Sequence, residues 1–274
     1  MIDDALVAAL EEVEGLVVRP GEPAARHTLL RLGGPIELWL LAESEQAAAS
    51  AAGMLKEAGV TPKAWQGADW VLDGGLPGAW IALGEAARDI VRDDAEVEVG
   101  FEVGAAALAA WAEAAGLGGL EPLAGRAGSV GAAWRTGVVE PAAVRALRGA
   151  RFSWTHKAGA HTVVSALRFE LRPQRLVGGY AEARRARRGE GEGLPGRLMK
   201  DGEHVTAAQA IAEAGLCGVR LRQLRVGERE PNALLNLGGG SSADGKLLVK
   251  MMRDRVKAVS GVELELEHRP LGRS

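Results

Sequence analysis

The chain has 274 residues, 47% hydrophobic and 25% charged, with a formal net charge of −3. This balance belongs to a folded protein with enough apolar material for more than one lobe, and it excludes a disordered or fibrous chain and a general affinity for nucleic acid. The single cysteine, Cys217, excludes an internal disulfide framework and a cysteine-rich zinc site.

Leu6, Val7, Leu10 and Val13 recur at helical spacing before Gly15, predicting an amphipathic helix over 3–14. The same stretch carries acids where a secretory leader carries bases, and no run approaches the roughly 20 apolar residues of a membrane helix, so a cytoplasmic protein without membrane insertion is expected. PIELWLL (35–41) reads as a strand, Ser44 as the cap of an alanine-rich helix running to Ala58 with Gly59 as its stop, and 60–65 as a short strand. Strands are predicted at 79–83 and, from EVEVGFEV, at 96–103, followed by a helix over 105–115 that Gly116 ends.

LEPLAGRAGSVGAAWRTG (120–137) comes next. Glycines among small residues let a backbone come close to something, and both a nucleotide phosphate and packed backbone satisfy the pattern. A strand over 162–171 then runs into a boundary at Arg172-Pro173. Residues 179–188 read as a helix with a solvated basic end, followed by the glycine and acid loop GEGEGLPG. Helices are predicted over 205–214, capped by Thr206, and over 246–259, with a strand at 233–237 between them. The final strand, VELELEHR, places Val262, Leu264, Leu266 and His268 on one face and Glu263, Glu265, Glu267 and Arg269 on the other.

Three features invite a chemical reading. GSSADGK (240–246) satisfies G-x-x-x-x-G-K, but Leu247 follows where a phosphate loop needs Ser or Thr, so no nucleotide hydrolase is expected. His156 and His161 match neither helical nor strand spacing for a metal pair, and no metal is assigned. Cys217, beside Leu216, is not one of them and is expected to be a small core residue.

The third feature is a set of four blocks in one order. TLLRLGGPIELWLL resembles T-x-x-x-x-GGPA-x-x-x, and GLGGLEPLAGRAGSVGAA resembles GLSGLE-x-LAGIPGTVGGA. AIAEAGLCGVRLRQLRVGEREPNALLNLGGGSSAD and VKAVSGVELELEHRPLG resemble the later blocks of the same family, MurB, the flavin-dependent UDP-N-acetylenolpyruvoylglucosamine reductases of peptidoglycan precursor synthesis. The resemblance runs from about Thr28 onward and makes GSSADGK the family's turn and helix start. It implies an α+β fold of three lobes: a two-lobed FAD-binding part of the PCMH/VAO type and a smaller C-terminal substrate-type domain. The implied boundaries are 1–66, completed by 262–274, then 67–175, then 176–261.

The resemblance also implies a reaction, in which NADPH reduces FAD and the flavin passes hydride to an enolpyruvyl ether while a hydroxyl or thiol protonates the enolate carbon. An arginine and a carboxylate steady the developing charge. By position Arg197 stands where the family has its Ser or Cys donor, and a guanidinium cannot cycle a proton at neutral pH. Trp154, next to Ser153, stands at the arginine position unless a gap moves the match to Arg151, and Glu267 matches the carboxylate. The vestigial FAD loops are Gly67 and Asp69 in WQGADWVL, and Gly125, Gly128, Ser129, Val130 and Gly131 in the Gly-rich stretch. Asp69 puts a carboxylate near the pyrophosphate position, Glu102 adds another in the G-x-G block, and WRTG (134–137) replaces MNAG.

The expectation is a MurB-like pseudoenzyme that binds no FAD and retains, as partner, a UDP-sugar or a cell-wall synthesis protein. Trp65, Trp70, Trp134 and Trp154 are expected to fill the vacated cofactor space. The alternative is an active FAD- and NADPH-dependent reductase whose acid comes from Thr206, Ser241 or a water, and a third reading is an interaction protein without a small ligand.

Overall fold

The structure is a computed structural model, described for residues 2–65, 67–84, 87–126, 128–135, 137–159, 162–173, 178–186 and 198–273. The chain divides into two compact units, one of residues 1–22, 36–66 and 77–188, the other of 23–35, 67–76 and 189–274.

The first unit opens with α1 (Asp4–Glu11), whose first turn is closed by Asp3 accepting from the Leu6 amide. β1 (Leu16–Pro23), β2 (Pro35–Ala42), α2 (Glu45–Glu57), β3 (Lys63–Ala64) and β4 (Leu76–Leu83) follow, and the strands form a sheet of order β1-β2-β4-β3. α2 begins where Ser44 Oγ accepts from the Ala47 amide, and its alanines pack with Leu10, Leu38, Leu40 and Ile81 into one apolar core. β1 was not expected, because Pro20 and Gly21 interrupt it. As the edge strand of the sheet it can carry a proline without losing a ladder bond to a second neighbour.

A second sheet and core occupy the rest of this unit. β5 (Ile90–Asp93), β6 (Glu96–Gly100), β8 (Ala143–Arg148), β9 (Arg151–Thr155) and β10 (Val164–Glu170) pair antiparallel in the order β5-β6-β10-β8-β9. α3 (Ala105–Ala114), the short α4 (Val130–Arg135) and α5 (Gly179–Ala186) pack beside it, and β7 (Leu117–Gly118) pairs with β11 (Arg172–Pro173). The buried centre runs from Val97 and Phe101 through Leu108, Leu123 and Leu167 to Tyr180.

In the second unit α6 (Ala207–Glu213) starts with a capping box between Thr206 and Gln209. β12 (Arg220–Leu221), β13 (Leu224–Val226) and β14 (Leu234–Asn236) form a small antiparallel sheet. α7 (Ser242–Ser260) is capped by Ser241 and ends at Gly261, whose φ of 72° is the left-handed conformation glycine adopts without strain. GSSADGK is therefore a turn and helix start, as the resemblance implied. Two expectations fail here. Cys217 is exposed rather than core. VELELEHR is no sheet strand: it makes a single bridge, Met199 to Leu266, so its alternation reflects burial of Leu264 and partial burial of Val262 and Leu266 without ladder partners.

Candidate functional site

The Gly-rich stretch of the first unit is held from inside. Gly128 O accepts from the Ala105 amide at 2.9 Å, and the Val130 and Gly131 amides donate to Val103 O and Phe101 O at 2.8 and 3.0 Å. Ala132 N donates to Ser129 Oγ at 3.2 Å and Ala133 N to Ser129 O at 3.0 Å. Every amide from Val130 to Ala133 is thus bonded to a protein acceptor. Gly125 and Gly128 have φ of 72° and 89° and supply the turns, while Gly131 is glycine for a steric reason. A methyl there would overlap the ring of Phe101, closest to two of its carbons.

Phe101 is 2% exposed. Its ring meets Trp134 edge-on at 6.4 Å, and the Arg135 guanidinium lies 5.7 Å from the Phe101 centroid and 4.9 Å from that of Trp134. Burial lowers the Arg135 pKa to about 10. The next carboxyl, Glu102, is pushed above its usual range by burial, against a smaller opposing pull from Arg88. Charged groups around this loop are withdrawn from water rather than presented to it.

Trp154 lies on β9 with the Arg168 guanidinium 4.0 Å and that of Arg145 5.5 Å from its ring. Arg145 is ion-paired with Glu98 and, at 2.6 Å, with Glu45, and Arg168 reaches Glu96 and Glu98 at 3.6 and 3.9 Å. Trp154, which the resemblance sets at the arginine position, is thus packed on two cations that glutamates already engage. Arg151, the gapped alternative, sits exposed opposite Arg148 at the end of the β8–β9 hairpin.

In the second unit the segments that the resemblance marks for the donor and the carboxylate, 198–200 and 265–267, lie side by side. Glu267 N donates to Leu198 O at 2.9 Å and Lys200 N to Glu265 O at 2.8 Å. Asn232, 8% exposed, fixes the first of these segments by donating to Met199 O and accepting from Met199 N, both at 2.8 Å. Glu267 is half-buried beside Leu198, and Arg197 itself lies outside the described residues, as does His161. Thr206 and Ser241 accept from the Gln209 and Asp244 amides as helix caps, and the Thr206 hydroxyl donates to Gln209 Oε1 at 3.0 Å, which commits its proton.

Asp69 is engaged as well. Its carboxylate meets His268 Nδ1 at 3.2 Å, while Ala68 O and Asp69 O accept from the Leu29 and Leu30 amides. Gly67, with φ of 83°, is exposed. A cavity of about 370 Å³ in the same unit is lined by Trp70, Lys246, Lys250, Arg253, Leu266 and Pro270. Trp70 is 1% exposed and packs on α7; Trp65 stacks edge-on with Trp39 and Trp80 at 5.2 and 6.1 Å. Within the first unit Trp65, Trp134 and Trp154 each have their own partners: Trp39 and Trp80, Phe101, and the Arg145 and Arg168 guanidiniums. Phe101, which that reading passed over, is the residue the Gly-rich stretch is built around. A large ring inside a block of small residues was the available signal.

A family model described as the UDP-N-acetylenolpyruvoylglucosamine reductase C-terminal domain matches residues 180–271. The chain is 31% identical to the UDP-N-acetylenolpyruvoylglucosamine reductase of Gluconobacter oxydans, with 95% of each chain covered. It is 28% identical to that of Heliobacterium modesticaldum, over 92% of this chain and 90% of the relative. The crystal structure of UDP-N-acetylenolpyruvylglucosamine reductase (MurB) from Thermus caldophilus superposes with a TM-score of 0.70 at 23% identity, covering 94% of this chain and 99% of that one. The α+β, MurB-like fold expected from the sequence is the fold of this chain, which belongs to the UDP-N-acetylenolpyruvoylglucosamine reductase (MurB) family.

Proposed function

We propose that this chain is a MurB-family member that keeps the fold and has given up the reductase reaction, holding neither FAD nor a proton donor for the enolate. One observation carries the reading: the Val130, Gly131, Ala132 and Ala133 amides of the flavin-type loop all donate to acceptors within the protein. A pyrophosphate needs free donors, and an amide already paired offers no net gain for binding an anion. The residues present do not fit the cofactor. Trp154 at the arginine position, Asp69 held by His268, and Arg197 at the donor position point the same way.

In this reading residues 1–66 with 262–274, and 67–175, are the former flavin lobes, and 176–261 is the substrate-type domain. A UDP-sugar is the ligand class we assign: the cavity offers Lys246 and Arg253 beside the apolar wall of Trp70 and Leu266, while Lys250 is ion-paired with Asp254 at 2.6 Å. Among the described residues no helix is long and apolar enough to cross a membrane, and a cytoplasmic protein working beside cell-wall synthesis enzymes is the setting we assign.

The competing reading, an active FAD- and NADPH-dependent reductase, draws on Glu267, which is retained, half-buried and adjacent to the 198–200 segment. The visible spectrum of the purified protein, before and after excess FAD and removal of unbound flavin, separates the two. We expect a colourless, folded protein that takes up no flavin and does not oxidise NADPH with the enolpyruvyl substrate. Bound flavin with substrate-dependent NADPH oxidation would establish the reductase instead.

A further inference from the structure

We propose that the cavity beside α7 is a two-point site for a diphosphate group, with Arg253 as its anchor and Lys246 as the second cation. The inference deepens the reading that this cavity takes a UDP-sugar and rests on it for the ligand class.

Lys246, Lys250 and Arg253 recur at i, i+4 and i+7 of α7, so one helix face presents all three to the same cavity of about 370 Å³. They are not equivalent. Lys250 is committed to Asp254, which also lines the cavity, at 2.6 Å. Lys246 helps to hold the Asp73 carboxylate ionised, although that carboxylate already accepts from the Ser242 and Ala243 amides. Arg253 is half-buried, and its Nε is shut off from water without a hydrogen-bond partner among the described residues. A buried, charged N–H left unpaired forfeits the bond it makes to water, and a ligand oxygen restores it.

A guanidinium takes phosphate oxygens through two parallel N–H donors, whereas an ammonium supplies a point charge. Arg253 and Lys246 stand seven residues apart, about 10 Å along the helix axis, so a group with one anionic centre is held by Arg253 and a diphosphate extends to Lys246 as well. The Lys250–Asp254 pair carries no net charge, which leaves the attraction for an anion to the other two cations. Trp70, Val249, Leu266 and Pro270 complete the lining, an apolar wall for the group the diphosphate carries.

The test titrates the whole chain, in phosphate-free buffer, with UDP, UMP and uridine, by calorimetry and by the shift in melting temperature each causes. UDP should bind on the order of tenfold more tightly than UMP, and uridine should cause no shift. Arg253→Gln should weaken UDP on the order of tenfold, and Arg253→Lys, which keeps the charge but not the fork, should recover only part of that loss. The paired substitution Lys250→Gln/Asp254→Asn removes a neutral ion pair and should leave UDP binding within about twofold. UDP bound equally well by wild type and folded Arg253→Gln overturns the anchor and leaves the UDP-sugar reading standing. A folded wild type that responds to neither UDP nor UMP overturns both. Loss of the flavin site is read separately, from the visible spectrum of the same sample.

Discussion

Asp73 and Ser242 hold each other twice. Asp73 Oδ1 accepts from Ser242 N at 2.9 Å, and Ser242 Oγ accepts from Asp73 N at 2.8 Å. Asp73 Oδ2 also accepts from Ala243 N at 3.0 Å, so one carboxylate closes the open amides at the start of α7. Burial pushes its pKa up, but the Ser242 and Ala243 amides, the Ser242 hydroxyl and Lys246 outweigh burial, and the pKa lies below the usual carboxylate range. A depressed folded pKa adds stability that is present above the unfolded value of about 3.9 and is lost as pH falls through the folded value. Asp73→Asn should lower stability near neutral pH by about 1 kcal/mol and flatten the acid limb of the urea midpoint against pH. An unchanged acid limb in the variant would assign the acid sensitivity to other groups.

Gly245 sits in α7, where alanine would ordinarily gain about 1 kcal/mol in helix propensity. Here the added methyl would overlap the six-membered ring of Trp70, which is 1% exposed. Overpacking costs about 1–3 kcal/mol where neighbours cannot move, and a buried indole is such a neighbour, so sterics win over propensity. Gly245→Ala should destabilise the protein in denaturant titration, and Trp70→Leu in the same background should recover part of the loss. A stabilising Gly245→Ala would show that Trp70 yields.

The helices were legible because their signals are local. Ser44 and Thr206 cap α2 and α6 where expected, and Gly59 and Gly215 follow their ends. The β8–β9 hairpin was not expected: Arg145 faces Trp154 across the ladder, so its exposed face alternates by stacking of cations on an aromatic ring rather than by hydrophobicity. VELELEHR misled in the opposite sense, since alternation describes a strand's faces but does not supply the neighbour that makes it a strand. The family blocks singled out the Gly-rich stretch and Glu267 as candidates. What closes that loop, a Phe101 ring placed on Gly131 from thirty residues away in sequence, is a tertiary relationship that no local pattern carries.

His268 and Asp69 predict a dependence near neutral pH. The hydrogen bond that His268 Nδ1–H donates to the Asp69 carboxylate is the main cause raising the His268 pKa, with burial opposing it and the Asp69 and Glu267 charges adding to it. A raised folded pKa adds stability that is full below the unfolded value of about 6.5 and lost as pH rises through the folded value. Because His268 is about half exposed, at 48%, the effect should be a few tenths of a kcal/mol. Proton resonances of His268 should titrate above the ordinary imidazole value of about 6.5, and Asp69→Asn should bring them back toward it. Titration of His268 at the ordinary value in the wild type would mean the pair does not form in solution.

Tyr180 is the only tyrosine in the chain, which makes its ionisation separable from everything else. Its side chain is fully buried and its hydroxyl donates to Leu117 O at 2.8 Å, tying α5 to β7. Burial is the largest cause raising its pKa to about 12, with the Glu121 and Glu113 charges adding to it. The folded value lies above the unfolded value of about 10, so this group's stability is full below about pH 10 and is lost as pH rises toward the folded value. Alkaline titration followed by phenolate absorbance should therefore show no ionisation near pH 10 while the protein remains folded, and a single late rise that coincides with loss of the helical signal. Tyr180→Phe should remove that rise and cost about 1–2 kcal/mol, because the Leu117 carbonyl loses its donor in a buried site. An ordinary phenolic titration in the folded protein would place Tyr180 in water and undo the packing of α5 on this core.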